Sequence, residues 1–166
     1  NSKQGATRKK ANPKKKKKAS NFPVVENPYK PGDIPVPGFL PPLDKIKTEM
    51  AQYYTSVRRA DRITGAVLKE LDKAELADNT LVMFLSDHGM PLPFAKTNCY
   101  YHSTRTPWIV RLPGVTKPGS IDRQHMVSGI DLAPTVLDLL GLPPLAGMDG
   151  RSFRPLLSGK EQSGRD

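Results

Sequence analysis

The sequence has a single cysteine, Cys99, so an internal disulfide framework is excluded. It has no apolar stretch approaching the roughly 20 residues of a membrane span, and its opening residues lack the apolar block of a signal peptide. Acidic residues are missing from residues 1–20, where Lys3, Arg8, Lys9, Lys10 and the run Lys14 to Lys18 stand. Aromatic residues are missing there too, which removes the stacking platform expected of a specific single-strand nucleic-acid binder. No internal repeat is visible.

What remains is enough for one globular domain: 166 residues, 37% of them hydrophobic, with the apolar ones clustered after about Lys45. The formal net charge of +10 misleads as a clue to function. Nine of the 26 basic residues lie in the first twenty positions with none of the 16 acidic ones, so the rest of the chain is nearly neutral. A segment so polar buries too little apolar surface to offset its ordering entropy and is expected to be disordered. Its charge suits weak polyanion binding; the blander reading is a solvated linker.

Four regions separate along the chain. Residues 1–20 are the lysine-rich tail. Residues 21–42 hold Pro23, Pro28, Pro31, Pro35, Pro37, Pro41 and Pro42, broken by Gly32 and Gly38. They read as an extended surface strap pinned by Phe22, Tyr29 and Phe39. Residues 43–159 carry the α/β pattern, and 160–166 form a polar C-terminal tail.

Within the third region the spacing of Ile46, Met50, Tyr53, Tyr54, Val57, Val67, Leu68 and Leu71 predicts a long helix from Asp44 to about Ala74. Gly65 is expected to permit close packing of that helix against a sheet. The run from Thr80 to Leu85 reads as a buried strand of a largely parallel sheet, and Trp108 to Leu112 as a second strand. Ser128 to Leu140 reads as a helix capped by Ser128 or Asp131, with Pro134 in its first turn and Gly141 at its end. The expected fold class is therefore α/β, a largely parallel sheet flanked by helices.

The sharpest chemical feature is Asp87-His88-Gly89, directly after the first strand. Open α/β sheets place ligands at such strand ends. A carboxylate and a neutral imidazole both ligate divalent cations, but two ligands make an incomplete site. The alternative is that Asp87 caps the following turn and His88 is a satisfied polar residue. Lys96 follows across a loop stiffened by Pro91 and Pro93, where its ammonium either neutralises an anionic substrate or is simply solvated. His102 is a candidate proton donor, Arg105 either binds an anion or anchors its loop, and Cys99 reads as a structural thiol rather than a nucleophile.

These pieces form an ordered series. Ser86-Asp87-His88-Gly89, Lys96-Thr97-Asn98, Thr104-Arg105-Thr106-Pro107-Trp108-Ile109-Val110, Gly129-Ile130-Asp131-Leu132-Ala133-Pro134-Thr135 and the segment from Gly150 to Gly159 resemble the later half of a type I sulfatase catalytic domain. The proline-bearing loop before Lys96 resembles most the N-sulfoglucosamine sulfohydrolase-like (heparan N-sulfatase-like) subgroup. The resemblance implies a partial alkaline-phosphatase-like core and an activity on sulfate esters or sulfamates, such as sulfated glycans, with bound calcium. It makes Asp87 and His88 metal ligands and Lys96 a sulfate contact, and assigns His102 no catalytic role. It implies a secreted, periplasmic or lysosomal setting without choosing between them.

The family's nucleophile segment, Cys/Ser-x-Pro/Ala-x-Arg, whose cysteine becomes formylglycine, does not occur in these residues, nor does the early aspartate pair that supplies further ligands. The chain is accordingly expected to be a sulfatase-family fragment with no catalytic nucleophile of its own and negligible activity alone. The alternative expectation is a non-enzymatic truncated module that binds an anionic partner through the basic tail.

Overall fold

Pro41 and Pro42 stop the chain from continuing any earlier helix, and Asp44 places a negative charge at the N-terminal end of the helix that follows. In the computed structural model, which describes residues 23–163, that helix is α1, Asp44–Lys73. At 30 residues it is about 45 Å long. Lys73 complements its C-terminal dipole, and Glu75 takes a left-handed conformation just beyond it (φ 57°). The tail at residues 1–20, Phe22 of the expected strap and the last residues of the C-terminal tail lie outside the described residues.

The proline-rich segment runs along the first half of α1 and makes most of the small core. Ile34, Leu40 and Met50 are buried together, with Tyr29, Val36, Phe39, Ile46 and Tyr54 around them. Tyr29 is fixed by its amide donating to Thr55 Oγ1 (3.0 Å), by an edge contact with Tyr54, and by the Arg58 guanidinium 3.8 Å from its ring centroid. Arg59 donates to the carbonyl of Pro23 (2.9 Å). A proline-rich chain has few amide donors of its own, so helix side chains supply the hydrogen bonds that a sheet neighbour would otherwise provide. Gly65 departs from expectation: an added Cβ there would meet nothing within 4 Å, so this glycine serves no close packing.

A 3-10 turn at Ala77–Asn79 leads into β1, Val82–Leu85, and a later strand, β2, spans Trp108–Arg111. The expected largely parallel sheet is corrected here. Among the described residues the sheet has two strands in antiparallel register, Val82 opposite Arg111 and Leu85 opposite Trp108. The reason lies in the connection. The Gly89 amide donates to the Ser103 carbonyl (3.1 Å), so the segment after β1 closes back on its own start. The chain therefore re-enters at the end of β1 it left from, and without a crossover helix to carry it to the other end it must run backwards. The only helix in that connection is the single turn α2, Tyr101–Thr104.

A capped turn at Gly129–Asp131 opens α3, Leu132–Leu139, with Pro134 in its first turn and Gly141 left-handed after it (φ 69°). Both expected caps take part: Ser128 stands at the N-cap of the turn and Asp131 at its N3 position, reaching back as in a capping box. The buried Asp131 carboxylate accepts the amide of Ser128 (2.8 Å) and, twenty residues on, that of Arg151 (2.9 Å). The fully buried Thr135 accepts the amide of Phe153 (3.0 Å) and donates to the Asp131 carbonyl (2.6 Å). This polar clamp holds the last segment, which includes α4, Arg154–Leu157, so that Phe153 meets Trp108 edge to face on the sheet. Among the described residues no helix is long and apolar enough to cross a membrane.

Candidate functional site

Asp87 and His88 leave the end of β1 as neighbours in space as well as in sequence. His88 Nε2 lies 3.2 Å from Asp87 Oδ2, with the carboxylate largely exposed and the imidazole partly so. The other ring nitrogen, Nδ1, is 2.9 Å from the Gly89 carbonyl. A carbonyl oxygen only accepts, so Nδ1 carries a hydrogen. Nε2 then either bears a second proton and pairs with Asp87 as an imidazolium, or presents a lone pair beside a carboxylate oxygen. Two lone pairs at that distance repel unless a cation sits between or beside them.

Gly89 locks the neighbouring loop. An added Cβ would lie 1.9 Å from the His102 carbonyl oxygen and 2.5 Å from that of Ala95. Only a residue without a side chain fits there, and the need is close approach, not an unusual φ. The contact brings the backbone before Lys96 and the backbone of α2 up against Gly89, the residue after the Asp-His pair. Met90 and Leu92 of the same loop pack on the Ile34–Leu40–Met50 core, and Ala95 is fully buried. The proline-rich strap is thus the floor beneath this loop.

Lys96 is half-buried between two residues in left-handed conformation, Phe94 (φ 65°) and Thr97 (φ 58°). Such a backbone is costly for side chains with a Cβ, by about 1 kcal/mol or more each, and persists only where the surroundings impose it. Asn98 does part of the imposing: its amide donates to the Lys96 carbonyl (2.8 Å) while its Oδ1 accepts from Tyr100 (2.9 Å). Asn98 went unremarked as a functional residue from sequence, although an Asn that bonds nearby backbone is a known turn-former.

The remaining candidates separate from this group. The His102 ring stacks on Phe39 of the strap, centroids 4.2 Å apart, a packing role. Arg105 sits over the Tyr101 ring at 5.2 Å, which favours the loop-anchor reading. Cys99 is exposed. Among the described residues no group of three or more His, Cys, Asp or Glu side chains is placed to hold a metal ion. Asp87 and His88 are two potential donors side by side, short of the six to eight oxygens that calcium takes.

Comparison with known proteins gives most of this architecture a context. The family model described as sulfatase matches residues 2–142. An ulvan-active sulfatase of Formosa agariphila is 36% identical over 128 residues, 77% of this chain and 21% of that protein. Human N-sulphoglucosamine sulphohydrolase is 39% identical over 115 residues, 69% of this chain and 23% of that protein. Among solved structures, a phosphonate monoester hydrolase from Silicibacter pomeroyi superposes with a TM-score of 0.66 at 32% identity, over 82% of this chain and 28% of the other. The chain thus spans between a fifth and a quarter of the length of these curated relatives.

Proposed function

Since this chain belongs to the sulfatase family, we propose that it contributes one part of a sulfuric-ester or sulfamate hydrolase site, with Asp87 and His88 as two ligands of a divalent cation and Lys96 as a contact for substrate oxygens. The observation that carries the reading is the pairing of Asp87 Oδ2 with His88 Nε2 at 3.2 Å while Nδ1 is turned to the Gly89 carbonyl. That arrangement sets two donor atoms side by side just after the end of β1. Bound there, a calcium ion would withdraw negative charge from a sulfuryl oxygen.

Each residue of the chain has a separate task. The Gly89 carbonyl fixes the imidazole tautomer and so keeps Nε2 available as a ligand. Lys96, fixed between two left-handed residues, offers an ammonium to oxygens that gain charge as the bond to the leaving group breaks. No residue here is assigned to attack sulfur.

Glucosamine N-sulfamates are the substrate class we favour. The human relative at 39% identity supports it, and a structure at 29% identity, solved in complex with its substrate D-glucosamine-2-N,6-O-disulfate, supports the sulfated glucosamine without choosing between its N- and 6-O-groups. A second reading, a phosphonate or phosphate monoester substrate, draws on the Silicibacter enzyme. Calorimetric titration of the purified chain with calcium tests the site, with millimolar affinity expected for so few ligands. Asp87→Ala should abolish the binding heat, and His88→Ala should weaken it. Unchanged binding in Asp87→Ala, or none in the wild type, refutes the assignment. The chain by itself should turn over neither a sulfamate nor a sulfate ester; robust turnover lost in Asp87→Ala would show that it carries a complete site.

A further inference from the structure

The loop that carries Lys96 is closed by two aromatic rings. Phe94 and Tyr100 stand with ring centroids 5.8 Å apart and planes inclined at 44°. Both are open to solvent, 52% and 58% exposed, so their apolar faces lie in water. Phe94 is also left-handed (φ 65°), a conformation that a bulky side chain rarely takes and that clusters at ligand sites. Asn98 ties the loop together. It donates to the Lys96 carbonyl (2.8 Å) and accepts from the Tyr100 amide (2.9 Å), so the ring pair and the lysine share one frame. The next ring along, Tyr101, stands apart from the pair, because Arg105 already lies over it at 5.2 Å.

We propose that Phe94 and Tyr100 form a stacking platform for a pyranose ring, a sugar subsite beside Lys96 that favours sulfated glycans over simple sulfate esters. The inference rests on the anion-contact reading of Lys96 above and adds a recognised group other than the sulfuryl oxygens. A pyranose chair presents axial C–H bonds on its faces and polar groups round its rim. Those C–H bonds, slightly positive, are attracted to the negative face of an aromatic ring. Two rings inclined at 44° enclose a V rather than a parallel-sided slot. A thick, puckered ring touches both walls of a V, whereas a flat aryl group or nucleobase lies on one. The rim of the stacked sugar then meets the Tyr100 hydroxyl, which both donates and accepts, and a sulfamate or sulfate on that rim pairs with the Lys96 ammonium.

Saturation-transfer NMR on the full 166-residue chain reads the contact, because sugars have no aromatic protons and irradiating the protein's rings reaches what is packed on them. The probes are the disaccharide of N-acetylglucosamine, uncharged and so indifferent to the lysine-rich tail, and the same disaccharide carrying an N-sulfamate. Transfer should fall on the sugar C–H protons and drop about threefold or more in Phe94→Ala and in Tyr100→Ala, while Tyr100→Phe keeps most of it. Phe84→Ala, at an exposed ring on the sheet, should leave transfer unchanged. Circular dichroism of each variant verifies the fold. The two readings fail separately. Binding of the uncharged disaccharide that persists in Asp87→Ala and Lys96→Ala supports the platform even where the sulfamate adds nothing, a result that would sink the Lys96 contact alone. Three results overturn the platform: no transfer to either disaccharide, transfer indifferent to Phe94→Ala, or stronger transfer to adenosine monophosphate, which would assign the rings to a base.

Discussion

Replacing Gly89 by alanine should be among the most damaging single-methyl changes in this chain. The added Cβ would stand 1.9 Å from the His102 carbonyl oxygen and 2.5 Å from that of Ala95. A carbon and a carbonyl oxygen sit comfortably at about 3.3–3.6 Å, so the two backbones must retreat by more than an ångström in total. Neither can yield by rotating a side chain. Overpacking of this kind costs about 1–3 kcal/mol, and the retreat breaks the bond from the Gly89 amide to Ser103, about 1 kcal/mol more. The expected loss is about 2–4 kcal/mol. At a urea dependence of about 2 kcal/mol per M, the unfolding midpoint should fall by about 1–2 M. Gly65→Ala is the matched control. An added Cβ there has open space, and alanine in a helix interior is about 0.5–1 kcal/mol better than glycine, so the midpoint should rise. Far-ultraviolet circular dichroism in urea reads both. A Gly89→Ala variant within about 0.5 kcal/mol of wild type would refute the claim that this loop closes on Gly89.

Asp131→Ala removes a buried carboxylate that accepts two backbone amides, and should cost about 3–5 kcal/mol by urea unfolding, because both donors are left without that acceptor. Asp131→Asn, which keeps one acceptor oxygen, should cost less. Met50→Ala empties the centre of the core beneath the strap and should cost about 2–5 kcal/mol. Asp138 gives a pH signature. The Ser152 hydroxyl (2.6 Å), and after it the Arg154 guanidinium, hold its carboxyl below the ordinary aspartate value of 3.8, against the smaller upward push of burial. The folded value lies below the unfolded one, so this stabilisation is complete above pH 3.8 and is lost as pH falls through the lower folded value. The Ser152→Ala deficit, about 1 kcal/mol for one part-buried hydrogen bond, should therefore be full at neutral pH and vanish in acid. A deficit that grows on acidification would refute the assignment.

Local elements were legible in the sequence because local rules determine them. Asp44 and the apolar spacing placed α1, and Ser128, Asp131, Pro134 and Gly141 each took a position that capping chemistry assigns. Strand direction was not legible. The run from Thr80 to Leu85 is apolar on both faces, and that pattern reports burial, not the direction of a neighbour. Direction is decided by the hydrogen bond from Gly89 to Ser103, fourteen positions along, which no periodicity announces. The role of the prolines was legible in part. Their density excluded regular structure, but only the helix side chains Thr55, Arg58 and Arg59, facing outward in sequence terms, show that the strap has a bed to lie in.

The site illustrates the same division between what residue types say and what only placement says. Adjacent Asp and His define a ligand type, and a turn cap satisfies the same two letters. Placement adds what the letters do not: Nδ1 lies 2.9 Å from the Gly89 carbonyl and Nε2 3.2 Å from the Asp87 carboxylate, so the two side chains face each other. The glycine after the pair then carries a double duty. Its carbonyl fixes the tautomer, and its missing side chain admits the Ala95 and His102 backbones that bring the Lys96 loop alongside. One residue thereby ties the backbone of the Asp87–His88 pair to that of the Lys96 loop. A substitution at Gly89 should accordingly disturb both together, whereas Asp87→Ala and Lys96→Ala should each disturb one.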